Sequence, residues 1–358
     1  WKMGTLEIPN RLVRSATWEG LAQDDGAVTD ALAEVTADLA RGGVGLIITG
    51  YAFVLPEGRG LPKQTGVHSD ALVDSLERMT DAVHAANGLV ALQIVHAGAQ
   101  TRSEWIGRTP LGPSAMSHPS FGEPAEELTR DQIADIVTAF AFAARRARAA
   151  RFDAVQLHAA HGYLINQFLS PLTNRRDDEY GGSFEGRARL CFEIYDAVRA
   201  EVGPDFPVFI KLNSEDCVEG GFELADAVEV ARKLSERGID AIEVSGGVPY
   251  AGKKGAARLV RNRDEEGYFL ANARAISEVV DCPVLAVGGF RSRPVIENAL
   301  AVIDAVSICR PFIRQPALTN LFRGRLTDNA DCVSCGKCLE ATMENGLSCG
   351  VLIGEQPG

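Results

Sequence analysis

Short apolar runs that are rich in β-branched residues recur along the chain and alternate with stretches of amphipathic, helical spacing. Runs this short, bounded by polar or glycine-containing segments, are typical of buried strands. The predicted strands are residues 12–16, 44–49, 90–95, 154–158, 208–212, 241–245, 284–287 and 305–308. Helices are predicted over about 29–41, 186–201, 269–280 and 293–301, and over the amphipathic repeats that begin near Leu72, Thr129 and Leu224.

Strands that alternate with helices in this way indicate parallel βα units. Two architectures compete, namely a closed barrel of eight βα units and an open, doubly wound sheet. The count of eight strands, and the absence of a G-x-G-x-x-G turn after the first of them, favour the barrel. We therefore predict an α/β fold, a (β/α)8 TIM barrel over residues 1–325, followed by a short cysteine-rich C-terminal extension over residues 326–358.

Composition narrows the class of partner. The formal charge of −12 disfavours a surface that attracts nucleic acid or anionic lipid. No apolar run in the sequence reaches the roughly 20 residues that a membrane-spanning helix requires. We therefore expect a cytoplasmic homo-oligomer that acts on a small molecule and binds neither nucleic acid nor membrane.

Active sites of TIM barrels lie at the C-terminal ends of the strands. The polar and small residues at these predicted ends are Ser15, Thr17, Gln93, His96, His158, Lys211, Asn213, Ser245, Gly246, Gly247, Gly288, Gly289, Cys309 and Arg310. The last two strand ends predict a phosphate site, because Gly288 and Gly289 let backbone N–H groups approach an anion and Arg310 offers two donors. A helix that begins near Ser292 would add its N-terminal dipole. The alternative to a phosphate site is that Gly288 and Gly289 form a tight turn and that Arg310 forms a surface ion pair.

The segment HAAHGY places His158 and His161 three residues apart at the fourth strand end. Two neutral imidazoles in that position can donate hydrogen bonds to a carbonyl or nitro oxygen on which charge develops. Tyr163 follows, and a phenol with a pKa near 10 is a suitable acid for a carbanion-like carbon. A metal pair or two structural histidines are the alternatives, and His96 is the only other obvious zinc ligand nearby.

Lys211 is a single basic residue in the apolar strand VFIKLN, so burial should give it an anionic partner. A lysine there can stabilise a reduced flavin, which carries its negative charge around N1 and O2. A Schiff-base lysine of a barrel lyase is the competing interpretation.

Together these residues resemble a known family. The segment HAAHGYLINQFLSPLTNRRDDEYGGSFEGRARL, with NRLVRSAT, LQIVHAG and VGGF elsewhere, is similar to the Old Yellow Enzyme family of FMN-dependent ene-reductases over nearly the whole chain. The resemblance implies a barrel that binds FMN non-covalently and takes a hydride from NAD(P)H or another donor. It also implies hydride transfer from flavin N5 to the β-carbon of an α,β-unsaturated substrate, with a proton delivered to the α-carbon.

The resemblance also assigns roles to single positions. It implies that His158 and His161 anchor the activating oxygen of the substrate and that Tyr163 donates the proton. The implied cofactor-binding residues are Ser15, Ala16, Thr17, Gln93, Lys211, Gly246, Gly247, Gly288, Gly289, Cys309 and Arg310. Within this set, Gln93 is expected at the flavin pyrimidine edge and Gly289, Cys309 and Arg310 at the phosphate. Lys211 stands where many relatives have arginine, and Trp18 where some have a small residue near the flavin.

Four cysteines crowd the C-terminus with the spacing C-x2-C-x2-C-x10-C, namely Cys332, Cys335, Cys338 and Cys349. Four thiolates suit a [4Fe–4S] cluster or a structural zinc ion, and unliganded thiols are the third alternative. The segment resembles the cluster-binding tail of the 2,4-dienoyl-CoA reductase and trimethylamine dehydrogenase branch, although its last two spacings are each one residue shorter. We predict a cluster at these four residues, with a ferredoxin or another electron-donor protein as its partner.

The sequence thus predicts an FMN-dependent ene-reductase. The alternatives are a flavin and iron–sulfur electron-transfer subunit that does not reduce alkenes, and a Schiff-base lyase that uses Lys211.

Overall fold

The computed structural model describes residues 1–119 and 121–354, and eight parallel strands form a closed barrel at its centre. These strands are β1 (Leu12–Arg14), β2 (Leu46–Ile48), β3 (Val90–Val95), β4 (Ala154–Ala159), β5 (Val208–Asn213), β6 (Ala241–Ser245), β7 (Val284–Val287) and β8 (Ala305–Ile308). Each strand pairs with the next, and β8 closes the ring on β1 through the Val306–Leu12 and Ser307–Val13 pairs. The predicted (β/α)8 barrel is confirmed.

Eight of the helices follow the strands and surround the barrel. They are α1 (Asp30–Arg41), α2 (Val73–Ala85), α3 (Arg130–Ala149), α4 (Phe184–Val202), α5 (Leu224–Glu236), α6 (Leu270–Ser277), α7 (Arg293–Ala299) and α8 (Leu318–Arg323). Helix α3 begins with a capping box in which the Thr129 hydroxyl accepts from the Gln132 N–H and the Gln132 side chain accepts from the Thr129 N–H.

Shorter elements close the barrel ends. A hairpin of Lys2–Met3 and Leu6–Glu7 covers the N-terminal end, where Met3 joins the apolar cluster inside the barrel. The other short strands are Ala52–Phe53, Leu111–Gly112, Met116–Ser117 and Pro124–Glu127. The short helices are Pro56–Gly58, Asp70–Leu72, Ser103–Ile106, Leu164–Leu169, Pro249–Lys254, Arg263–Glu265, Arg310–Arg314, Cys338–Asn345 and Gly350–Gly354.

Strand alternation divides the core into two parts. In β6, for example, Ile242 and Val244 pack outward against the helices, whereas Ala241 belongs to the cluster inside the barrel. The same alternation directs Glu243 of β6 and Lys211 of β5 to the interior, one layer above that cluster. The interior therefore changes from apolar at the N-terminal end to polar towards the C-terminal end of the strands.

The cysteine-rich extension packs on the C-terminal side of the barrel. Its first residues are tied to the start of α7, because the Arg293 N–H donates to Asp328 O and the Ala330 N–H donates to Arg291 O. Its helix Cys338–Asn345 brings Leu339 to the candidate active-site cavity described below. No helix in the described part of the chain is both long and apolar enough to cross a membrane.

Candidate active site

A cavity of about 350 Å³ opens at the C-terminal ends of the strands. It is lined by Ala16, Tyr51, Gln93, Gln100, His158, His161, Tyr163, Lys211, Pro249, Gly252, Gly255, Ala256, Ala257 and Leu339. Six of these are predicted site residues, and they come from four different strands or strand ends. The fold therefore brings the three predicted catalytic side chains to one cavity with part of the predicted flavin site.

The three aromatic side chains at the end of β4 lie against one another. The His158 ring centroid is 5.3 Å from that of His161 and 4.9 Å from that of Tyr163. His158 is paired across the sheet with Lys211 of β5, so both point into the barrel interior. The two imidazoles and the phenol are thus close enough to act on one small ligand.

The loop that carries His161 is fixed by polar contacts. His161 has a φ of 61°, a backbone conformation that is unusual for a residue other than glycine. Its Nε2 lies 2.7 Å from Ser245 Oγ, and its N–H donates to Asn213 Oδ1 at 3.4 Å. The next residue, Gly162, donates its N–H to Asn166 Oδ1 at 2.6 Å. These contacts hold the His161 ring at the cavity in spite of the unfavourable backbone conformation.

Both histidines are neutral at ordinary pH. Burial, with the nearby charge of Lys211 as a smaller cause, lowers the pKa of His161 to about 3. Burial, then the neighbouring His161 and Lys211, lower the pKa of His158 well below its usual value. His158 Nδ1 is buried and has no hydrogen-bond partner within the described residues. A buried polar atom of this kind is costly unless a ligand satisfies it.

Burial also keeps Tyr163 in its neutral form, which for a phenol is the protonated one. Burial raises its pKa, and hydrogen bonds with Tyr51 and Gln100 oppose that rise. The pKa of Tyr51 is raised well above its usual value by burial and by Tyr163. The hydrogen bond with Tyr51 lowers the pKa of Tyr163. Tyr51 therefore stabilises the Tyr163 phenolate, a contact that sequence reasoning missed because Tyr51 lies beyond a different strand.

The anionic partner expected for Lys211 is Glu243, whose Oε2 lies 3.3 Å from Lys211 Nζ. Lys211 Nζ also donates to Ser15 Oγ at 2.7 Å. On the same cavity wall, Gln93 Oε1 is buried and, among the described residues, has no partner. Sequence reasoning overlooked Glu243, although an acidic residue inside the apolar strand AIEVS was a visible signal.

A second cavity of about 80 Å³ lies at the ends of β7 and β8 and matches the predicted phosphate site. Gly289, Cys309, Arg310 and Ser307 contribute to its wall, and Ser307 Oγ is buried without a partner in the described chain. Gly289 has a φ of 77°, and a Cβ there would lie 2.6 Å from Val260 Cγ2, so only glycine fits.

Two details of the predicted phosphate site differ from expectation. The N–H groups of Arg291 and Ser292 both donate to Glu266 Oε2 at 2.9 Å, so the start of α7 does not offer them to a phosphate. The Arg310 guanidinium donates to Ser334 O at 3.2 Å and Arg258 O at 2.7 Å, which leaves it at the cavity wall with two protein partners. The carboxylate of Glu266 and these two carbonyls come from distant segments, which a local sequence pattern does not reveal.

The remaining predicted cofactor residues lie beside the two cavities rather than on their described walls: Ser15, Thr17, Gly246, Gly247 and Gly288. Ser15 supports Lys211, as described above, and Thr17 Oγ1 lies 3.0 Å from Cys309 Sγ. Gly247 donates its N–H to Glu215 O at 2.7 Å and thereby fixes the loop after β6.

The four cysteines of the extension are not brought together as metal ligands. Within residues 1–119 and 121–354, no three Cys, His, Asp or Glu side chains are grouped so that they could hold a metal ion. Cys335 is exposed, whereas Cys349 Sγ lies 3.7 Å from Arg314 Nη1. In the described residues the four thiols are therefore not arranged as the ligand set of a cluster or a zinc ion.

Comparison with known proteins agrees with the fold. The profile of the NADH:flavin oxidoreductase / NADH oxidase family matches residues 1–329. The NADH oxidase of Thermoanaerobacter brockii is 36% identical over 339 residues, which are 93% of this chain and 52% of that enzyme. The chain thus spans about half the length of this relative.

Two solved structures have the same fold. A complex of 2-naphthoyl-CoA reductase with 2-naphthoyl-CoA has a TM-score of 0.90 and 28% identity, over 97% of this chain and 55% of that one. An old yellow enzyme homologue from Zymomonas mobilis has a TM-score of 0.79 and 29% identity, over 93% of this chain and 94% of that one. With the family match over residues 1–329, these similarities show that the chain belongs to the NADH:flavin oxidoreductase / NADH oxidase family, the Old Yellow Enzyme family of flavin oxidoreductases.

Proposed function

We propose that the protein is an FMN-dependent ene-reductase that reduces an activated C=C bond with electrons from NAD(P)H. The observation that carries the proposal is the convergence of two neutral, buried histidines and a protonated tyrosine on one cavity. The chemistry that FMN supplies when bound is hydride transfer, from a reduced nicotinamide and then to the β-carbon of the alkene.

The residues present fit FMN. Gln93 Oε1 is a buried acceptor with no partner among the described residues, which suits an N–H donor such as that of the flavin pyrimidine ring. Lys211 offers a positive charge on the same cavity wall. At the second cavity, the unpartnered Ser307 hydroxyl and the close approach allowed by Gly289 suit a phosphate group. We therefore propose Gln93, Lys211, Gly289, Ser307 and Arg310 as the residues that hold the cofactor.

His158 and His161 would bind the activating oxygen of the substrate. A neutral imidazole has one N–H group, which can donate a hydrogen bond to that oxygen. Because the donors are fixed before the substrate arrives, little reorganisation is needed as negative charge develops on the oxygen. The depressed pKa of both histidines keeps them in the neutral state throughout the ordinary pH range.

Tyr163 would give its proton to the α-carbon. Its hydroxyl is protonated at ordinary pH because burial raises its pKa. A hydrogen bond with Tyr51 lowers the pKa of Tyr163, so the phenolate that remains after proton transfer is stabilised. The side chains of Leu339, Ala256 and Ala257 supply apolar walls, which suit the hydrocarbon part of a small α,β-unsaturated substrate.

The contacts of Lys211 do not support a Schiff-base lyase. A nucleophilic lysine must be a neutral amine. Lys211 instead forms a salt bridge with the Glu243 carboxylate and donates to Ser15, so its nitrogen is not offered to a substrate as a free amine. We therefore assign Lys211 to the cofactor.

Titration of the purified protein with FMN, followed by turnover of cyclohexenone with NADH or NADPH, tests the proposed function. We expect one tightly bound FMN per chain and formation of the saturated ketone. A ferredoxin-type partner, the homo-oligomeric state and the cytoplasmic location stay predictions from the sequence, as does the boundary between residues 325 and 326.

The metal centre of the extension also stays a prediction. It is supported by the four-cysteine spacing and by its resemblance to cluster-binding tails, and we assign no step to it because the ligands are not grouped. An anaerobically purified sample is expected to contain iron and acid-labile sulfide, with a broad brown absorbance beside the flavin bands. Stoichiometric zinc without iron would replace the cluster by a structural site, and the absence of both metals would contradict the prediction.

A further inference from the structure

Glu243 is a carboxylate in the barrel interior that no step above uses. Its side chain is 0% exposed, at the centre of β6. A buried charge is costly unless opposite charge and hydrogen bonds compensate it. Such a residue is expected either to stabilise the fold or to act on a neighbouring functional group, and its contacts distinguish the two.

Three donors converge on the Glu243 carboxylate. Lys211 Nζ lies 3.3 Å from Oε2, Gln156 Nε2 donates to Oε2 at 2.8 Å, and the Ser15 hydroxyl donates to Oε1 at 2.8 Å. Lys211 and Glu243 are also direct neighbours in the β5–β6 register. Ser15 bridges the pair, since its oxygen accepts from Lys211 at 2.7 Å. Lys211 Nζ is therefore held by two contacts that both depend on Glu243. One is with Glu243 itself, and the other is with Ser15, which donates to Glu243.

Through Gln156, the same carboxylate also reaches Gln93, which lines the candidate active-site cavity together with Lys211. Because Glu243 only accepts, Gln156 turns its amide nitrogen towards it and its amide oxygen towards Gln93. Gln93 Nε2 donates to that oxygen at 2.6 Å, which leaves Gln93 Oε1 unpartnered at the cavity wall. Glu243 thus contacts, directly or through Gln156, two groups of the cavity wall without lining the cavity itself.

We propose that Glu243 is a positioning residue which holds Lys211 at the cavity wall, partly cancels the charge of Lys211 and thereby sets the reduction potential of bound FMN. The proposal rests on the proposed function, because it assumes that this cavity binds the flavin. Reduction adds negative charge to the bound group, and a lysine stabilises that charge less when a carboxylate lies 3.3 Å behind it. Removing the carboxylate's charge should favour the reduced form.

The test is the two-electron midpoint potential of FMN bound to the full chain, measured by reductive titration against a reference dye. In Glu243→Gln we expect the ratio of affinities for reduced and oxidised FMN to rise about tenfold, a shift of about 30 mV to more positive potential. In Lys211→Met the potential should become more negative, and the double variant should lie between the two. Asp240→Asn is the matched control, because Asp240 is paired with Arg199 at the opposite end of the barrel.

Glu243→Asp supplies the test should the glutamine variant not fold, since a shorter carboxylate lies farther from Lys211. It should shift the potential in the same direction by a smaller amount. An unchanged or more negative potential in either variant that folds would overturn the proposal. Wild-type protein that binds no FMN would contradict the proposed function instead, so the two failures are distinguishable.

Discussion

Tyr163→Phe is expected to slow the reduction of an alkene by a factor of about 10²–10⁴ while leaving reduction of the flavin by NAD(P)H intact. The variant removes the only atom at this position that can hold the transferable proton. The ring itself stays, with its packing against His158 and Tyr51. The measurement is stopped-flow absorbance at the flavin band, with the reductive and oxidative half-reactions recorded separately.

Tyr195→Phe is the matched control for the loss of a buried hydroxyl. The Tyr195 hydroxyl donates to Arg237 O on the outer helical layer, far from the cavity in the fold. Both half-reactions of that variant should resemble those of the wild type. An oxidative half-reaction that is unchanged in Tyr163→Phe would contradict the role of Tyr163 as proton donor.

His158→Ala is expected to lower kcat/KM for the alkene by a factor of about 10²–10³, the usual effect of removing one donor to a developing oxyanion. The imidazole lines the cavity, and its Nδ1 has no partner in the described part of the chain. Because the lost hydrogen bond strengthens as charge develops, kcat should fall as well as KM rise. Steady-state kinetics with cyclohexenone at saturating NAD(P)H measure both.

The control for His158→Ala is His84→Ala. His84 lies on α2, where its Nε2 contacts Asp153 Oδ2 at 3.1 Å, and the His84→Ala variant should leave kcat/KM unchanged.

The wild-type oxidative half-reaction should also keep its rate from pH 8 down to pH 5. The functional form is the neutral imidazole, and with a pKa of about 3 for His161 it is lost only as the pH falls towards that value. A rate that halves near pH 6.5, or a His158→Ala variant as active as the wild type, would contradict the assignment.

The fold could be predicted from the sequence because hydrophobic spacing is a local signal. All eight predicted strands are present, and in the last three both bounds agree with the predicted ones, as at Val284–Val287. The side chains that reach the cavity could be predicted for the same reason, since alternation along a strand decides which residues face the interior. His158 and Lys211 are therefore placed at one cavity, as their positions in their strands implied.

What could not be predicted are contacts between residues far apart in the chain. The Tyr51–Tyr163 contact joins loops that follow two different strands, and no local pattern identifies it. Glu243 is visible as an acidic residue within AIEVS, but no local pattern shows that it pairs with Lys211. The competition of Glu266 for the N–H groups near Ser292 is of the same kind. A spacing of four cysteines likewise describes possible ligands, whereas their grouping depends on how the extension packs on the barrel.

The most direct test of the central claim is the pair of half-reactions of the wild-type protein loaded with FMN under anaerobic conditions. We predict that NADH or NADPH bleaches the flavin band, and that cyclohexenone then restores it while one saturated ketone forms per FMN. Reoxidation by an artificial acceptor but not by the alkene would contradict the ene-reductase and favour an electron-transfer subunit. A protein that binds no FMN would contradict the account as a whole.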